Sequence, residues 1–275
     1  MFDFSGDEGF CMLVALAISI SGAIRLYVPL LRMPLLARSA IRRVILAMFP
    51  VLILLLTTMV LSRWSDPQVA GHADYIILFL VIQAAWMTVA CEGIRLFGIG
   101  FRDDLIERNN PAAMIAVCGF VTAAAIVFAL ANVGGGPTIW TTILPAGAGT
   151  AILCVLWLTV QFVGGSVAES ITIDRDVATG LRVAGAMIGC SLVLGRAVGG
   201  NWKSWDQTWT DLALLGWPAI FLAIAAAVLH RFQKPSVANP RPGLFLCGVL
   251  PAILLPLGGL LIVCFTPQGM NPSSW

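Results

Sequence analysis

Eight apolar runs, each about as long as a bilayer is thick, leave this chain very few ways to fold. A helix needs about 20 apolar residues to cross the hydrocarbon core. The runs fall near 9–31, 43–62, 76–97, 112–132, 143–163, 177–199, 211–230 and 244–265. Backbone surrounded by lipid must satisfy its own hydrogen bonds, so the runs must be helices or strands of a closed barrel. Barrel strands would alternate in hydrophobicity over about ten residues, and these runs do not alternate. Hydrophobic residues make up 59% of the chain and charged ones 11%, against roughly 25% charged in soluble proteins. The expectation is an all-α, polytopic membrane bundle of eight helices. A nucleic-acid-binding domain, a disulfide-stapled scaffold and a disordered tail are excluded as descriptions, and the bilayer is the first partner.

The first run follows Asp3, Asp7 and Glu8, where a removable signal peptide would be basic, so it reads as a retained span. Lys and Arg in the loops set the orientation. Arg32, Arg38, Arg42, Arg43, Arg102, Arg108, Arg175, Arg231, Lys234 and Arg241 fall on one side, and only Arg63 and Lys203 on the other. The richer side is expected in the cytoplasm, with both termini outside. The connections are too short to hold a soluble domain.

Within this frame the chain resembles itself. Asn110 and Asp176 each open a span, and Gly119 and Gly185 follow nine residues later. Gly134-Gly135-Gly136 and Gly199-Gly200 end those spans, Trp140-Thr141 and Trp209-Thr210 come next, and Gly147 and Gly216 lie seven residues beyond each Trp. Trp86-Met87-Thr88-Val89 and Trp157-Leu158-Thr159-Val160 give a second echo. Parallel repeats of this kind are related by an axis along the membrane normal. The chain thus divides into three N-terminal spans (1–101), tandem two-helix repeats (102–165 and 166–232), and a last span with an external tail (233–275).

The repeated unit is an acidic segment, an Asn or Asp entry, a Gly/Ala-rich span, a short Gly-containing loop and a second span. Over residues 102–232 it resembles the YjfL-type bacterial inner-membrane proteins, a family of unknown function. The Asn110-Pro111 entry and the four additional spans depart from that pattern. The resemblance implies a bacterial inner-membrane location and no known enzyme activity, and it supplies no catalytic residues.

Gly185/Gly189 and Gly195/Gly199 have the GxxxG spacing that lets helices approach closely in lipid. They suit packing within the chain, an oligomer seam or, less directly, a substrate path. Pro251 and Pro256 should bend the last span. Ionisable groups inside spans are candidate functional residues. Arg25, Glu92, Arg95 and Arg182 form one such expected cluster near the basic side, with Glu92 and Arg95 spaced to pair. Arg182 is expected to reach the headgroups or an acid, namely Glu92, Glu169, Asp174 or Asp176. Asp211 reads as a charge at a helix N-terminus.

None of the seven cysteines forms a CxxC pair, so no metal site is expected. His72 and His230 cannot supply paired haem ligands within spans, and no cofactor is expected. No HExxH, GxSxG or P-loop motif occurs. Trp64, Trp140, Trp202, Trp205 and Trp209 read as an interfacial aromatic belt. Three functions follow. The first is a non-enzymatic subunit or scaffold of a membrane assembly, membrane-stress response included, with other membrane subunits or further copies as partners. The second is a small transporter or channel with a path at the repeat interface, and the third an intramembrane enzyme built on Glu92.

Overall fold

A computed structural model describes residues 4–32, 37–234 and 243–265. The side chains of Arg38 and Arg42, all of Arg241, and the tail to Trp275 lie outside the described residues. The described chain is almost wholly helical, with no strand and a single isolated bridge between Ser65 and Gly134. Eight helices are long and apolar enough to cross a membrane: Gly6–Leu30, Arg43–Trp64, Ala73–Phe97, Pro111–Ala131, Trp140–Gly164, Val177–Val198, Trp205–Gln233 and Phe245–Phe265. The protein is a multi-pass integral membrane protein. These helices are called spans one to eight.

Local chemistry explains most of the ends. Span one starts at Ser5, whose Oγ accepts from the Glu8 N–H while the Ser5 N–H donates to Glu8 Oε2 at 2.8 Å. This reciprocal pair satisfies two N-terminal donors. Span three tightens into a 3-10 turn at Ile94–Phe97 and stops at Gly98, whose φ of 82° suits a residue without Cβ. Span seven begins earlier than its hydropathy suggests. Ser204 caps the Gln207 N–H, so the helix takes in Trp205 and Trp209 and runs from Trp205 to Gly216 before Pro218 opens its second half. Asp211 is therefore inside this helix, where it accepts from Gln207 Nε2 at 2.7 Å, and is not its N-terminal charge. The polar run 201–210 lowers the hydropathy but forms good helix once capped.

The spans alternate in direction and sort into two parallel sets. In the even set, the ends of spans two and four nearest Arg63 meet where the Gly134 N–H donates to the Trp64 carbonyl at 3.2 Å. Spans four and six meet likewise, the Gly200 N–H donating to the Val133 carbonyl at 2.7 Å. Below that point small residues bring the backbones together. A Cβ on Gly180 would stand 2.6 Å from the Ala112 carbonyl oxygen, and one on Gly199 2.6 Å from that of Leu130. Gly185 and Gly189 press instead on span eight, at Ala252 and Leu255, while Gly195 presses on Leu130 of span four. The two GxxxG pairs thus face opposite neighbours, and both are used inside the chain. In the odd set, Gly22 of span one packs on Thr88 of span three, and Gly164 of span five on Ala227 and His230 of span seven.

The described basic loop residues, Arg32 and Arg43 through Lys234, gather at one end of the bundle, with Arg63 and Lys203 at the other. The first is called the arginine-rich end and the second the opposite end.

Candidate functional site

The two repeat-entry residues are built alike. Asn109 and Arg175 hold left-handed φ values of 52° and 54°. Each turns the chain into a cap. Asn110 Oδ1 accepts from the Ala112 and Ala113 N–H groups at 3.0 and 3.3 Å. Asp176 accepts from Ala178 and Thr179 at 3.2 and 3.0 Å. The caps' own N–H groups donate six residues back, Asn110 to Asp104 and Asp176 to Ser170, both at 2.9 Å. The amide also gives Asn110 a donor, and its Nδ2 reaches the Ile171 carbonyl at 2.7 Å. A carboxylate has no such donor. Asp176 instead accepts from the Thr179 hydroxyl at 2.5 Å.

That hydroxyl leads into the most polar interior of the bundle. Arg182, one turn on from Thr179, is fully buried. Its Nη2 donates to Thr179 Oγ1 at 3.1 Å and lies 3.4 Å from His230 Nδ1. Its Nη1 donates to Gln233 Oε1 at 2.5 Å and to the Cys247 carbonyl at 2.6 Å. The availability of that carbonyl follows from the sequence. In an α-helix the Cys247 oxygen would accept from residue 251, which is Pro251 and has no N–H. The chain forms a π turn over Phe245–Val249 at this point, and Arg182 takes the carbonyl. A single guanidinium thus joins spans six, seven and eight.

This corrects two expectations. Arg182 neither reaches the surface nor forms an ion pair with an acid among the described residues, because it is fully buried and its Nη groups donate to Thr179, Gln233 and the Cys247 carbonyl. Its link to Asp176 runs through the Thr179 hydroxyl. Nor does it share a cluster with Arg25, Glu92 and Arg95, which lie on spans one and three. There Glu92 and Arg95 form the expected i,i+3 ion pair at 3.0 Å. Arg25 is exposed and lines the same cleft as Glu92. The charges share a depth and not a neighbourhood, since depth is legible along a sequence and lateral position is not.

Thr179, His230, Gln233 and the Cys247 carbonyl belong to the Arg182 site and were not singled out from the sequence. A signal existed. Asp176, Thr179 and Arg182 are spaced i, i+3, i+6, and His230 and Gln233 i, i+3, so each set lines one helix face. The arrangement offers a fixed cation held by neutral acceptors and a histidine. The Thr179 hydroxyl also lies 3.4 Å from His230 Nδ1, but it already donates to Asp176 and accepts from Arg182, so the geometry ties the three spans together. Among the described residues no group of three or more His, Cys, Asp or Glu is placed to hold a metal.

At the opposite end, Trp140 Nε1 donates to Asp7 Oδ2 at 3.0 Å, and Trp202 meets Trp205 edge to face at 5.5 Å. The two echoing tryptophans differ in role. Trp86 Nε1 donates to Thr150 at 3.1 Å, whereas Trp157 is buried and stacked on Phe97. Compared with known proteins, the chain matches no family model, no curated protein and no solved structure.

Proposed function

We propose that this chain is a non-catalytic subunit or scaffold of a membrane assembly, seated in a bacterial inner membrane with its arginine-rich end in the cytoplasm. One observation carries the reading. The seam between spans four and six, where a path along the repeat interface would run, is closed by backbone-to-backbone approach at Gly180 and Gly199, and the adjoining seam with span eight is closed at Gly185 and Gly189. A conduit needs room for a hydrated solute, and these seams leave none.

The duplication is part of the same proposal, with 102–165 and 166–232 as its two copies. Supporting it are the caps at Asn110 and Asp176, the preceding residues of positive φ, and the hydrogen bonds from Asn110 to Asp104 and from Asp176 to Ser170, all 66 positions apart. The Gly134 and Gly200 turns, with φ of 93° and 116°, keep that spacing. The likeness of residues 102–232 to the YjfL-type proteins rests on the sequence pattern alone and is part of the proposal.

The test is purification in mild detergent followed by identification of what co-purifies, and reconstitution of the pure protein in vesicles. A stoichiometric membrane partner or a defined oligomer, with vesicles no leakier than empty ones, is the expected outcome. A solitary particle that conducts ions or solutes would overturn the proposal in favour of a transporter or channel.

A further inference from the structure

Both sets of spans leave gaps, but the cleft between spans two, four and six is only about 200 Å³, and the odd set contains a wider break. Spans one and three pack together at Gly22, and spans five and seven at Gly164. Spans three and five are held apart by Trp86, which reaches Thr150 with its indole N–H. Between them, with span one as a flank, lies an apolar groove of about 480 Å³ lined by Phe10, Val14, Trp86, Val89, Trp140 and Cys154. The Trp140–Asp7 hydrogen bond joins spans five and one across its end nearer the opposite face.

Toward the arginine-rich end the groove runs on. A second cleft of about 630 Å³ shares Ile18, Val89, Gly93 and Leu96 with the first and extends to Arg25 and Glu92. Glu92 is neutralised by Arg95. Among the described residues Arg25 makes no hydrogen bond or ion pair. The mouth of the groove therefore carries one uncompensated positive charge.

We propose that this groove holds an acyl chain of one anionic phospholipid, drawn from the leaflet at the arginine-rich end, with its phosphate on Arg25. The lining is apolar, so water gains nothing there. The bridge at one end admits a thread-like tail from the other end and blocks a helix, whose diameter is about 10–12 Å, from lying along the full span. The charge at the mouth selects the headgroup. Every phospholipid offers a phosphate, which a guanidinium binds with directed hydrogen bonds, but the cation of a zwitterionic headgroup offsets that charge, so the anionic lipid is held more tightly.

Native mass spectrometry of the full chain, released from mild detergent and titrated with phosphatidylglycerol or phosphatidylcholine of identical tails, tests this. The wild type should retain one phosphatidylglycerol, preferred by about fivefold, the gain one arginine gives near anionic lipid. Arg25→Gln should abolish the preference, bringing phosphatidylglycerol retention down to that of phosphatidylcholine. Gly93→Leu should abolish retention of both, because a Cβ there meets nothing within 4 Å and the added side chain is free to fill the groove. An unchanged melting temperature in lipid-free detergent shows that each variant is folded. Equal retention of both lipids by the wild type would overturn the proposal. So would phosphatidylglycerol retention that neither variant alters, or a second protein copy in place of the lipid.

Discussion

Spans four and six, and spans three and five, are two pairs of parallel neighbours in one bundle, yet they meet in opposite ways. Spans four and six are 67% and 78% buried, while spans three and five reach only 44% and 39%. The first pair places glycine and alanine where the helices cross, so backbone meets backbone. The second places Trp86 at the crossing and Gly147 opposite it, where an added Cβ would meet the indole ring in ordinary contact at 3.8 Å. In lipid no hydrophobic drive closes such a gap, because tails solvate leucine as well as protein does. Residue size alone decides whether two spans fuse or part. The first pair is a joint and the second a berth.

The comparison can be broken most severely at the joint. Gly189→Leu places a Cβ 2.5 Å from the Leu255 carbonyl oxygen with no side chain able to yield. Overpacking of this kind costs about 3 kcal/mol or more, and the expected result is loss of folded material on size exclusion. Arg182→Leu should come next. It takes the donor away from the half-buried Gln233 Oε1 and Cys247 carbonyl, and one of its partners from the Thr179 hydroxyl, for about 2–3 kcal/mol, visible as a lower melting temperature in both detergent and lipid. Adding Gln233→Leu should recover part of that loss, since one orphaned acceptor disappears. An Arg182→Leu protein as stable as wild type would remove the guanidinium from any account of the fold.

At the repeat entry, Asn110→Asp keeps the cap but loses the donor to Ile171. It should cost about 1 kcal/mol, against about 2 kcal/mol for Asn110→Ala, which also loses the cap. Thermal melts of the two variants should therefore separate. The smallest effect belongs to the berth. Gly147→Ala adds a methyl group in ordinary contact with Trp86, 3.8 Å away, at a helical position, and should change stability by about 0.5–1 kcal/mol in the favourable direction. If Gly147→Ala harms the protein as much as Gly189→Leu, the contrast between joint and berth is false.

Much of this was legible in the residues. Hydropathy placed all eight spans, and misjudged chiefly the start of span seven, where Asp206, Gln207 and Asp211 dilute an apolar signal that a Ser204 cap converts into helix. The glycine spacing announced close packing but not the neighbour, because a GxxxG face fits any backbone presented to it. The charges were harder. Glu92 and Arg95 are neighbours on one helix and were found. Arg182 meets partners 51 and 65 residues away, and which spans adjoin cannot be read from depth. Beside the polar spacings on spans six and seven, one clue to a partner lay in span eight, where Pro251 strips the Cys247 carbonyl of its helical donor.

That arrangement sets a schedule for biogenesis. Arg182 leaves the ribosome with Asp176 and Thr179 already made, while Gln233 and Cys247 are still to come. At about 5–20 residues per second of synthesis, the 65 residues separating Arg182 from Cys247 take on the order of 3–13 s to appear. For that interval span six carries a cation with only a nearby hydroxyl and carboxylate to shelter it. It must linger at the insertion machinery or at the lipid interface until spans seven and eight arrive. A chain cut before span eight would leave it stranded there, and the cell's membrane quality control would meet it first at that helix.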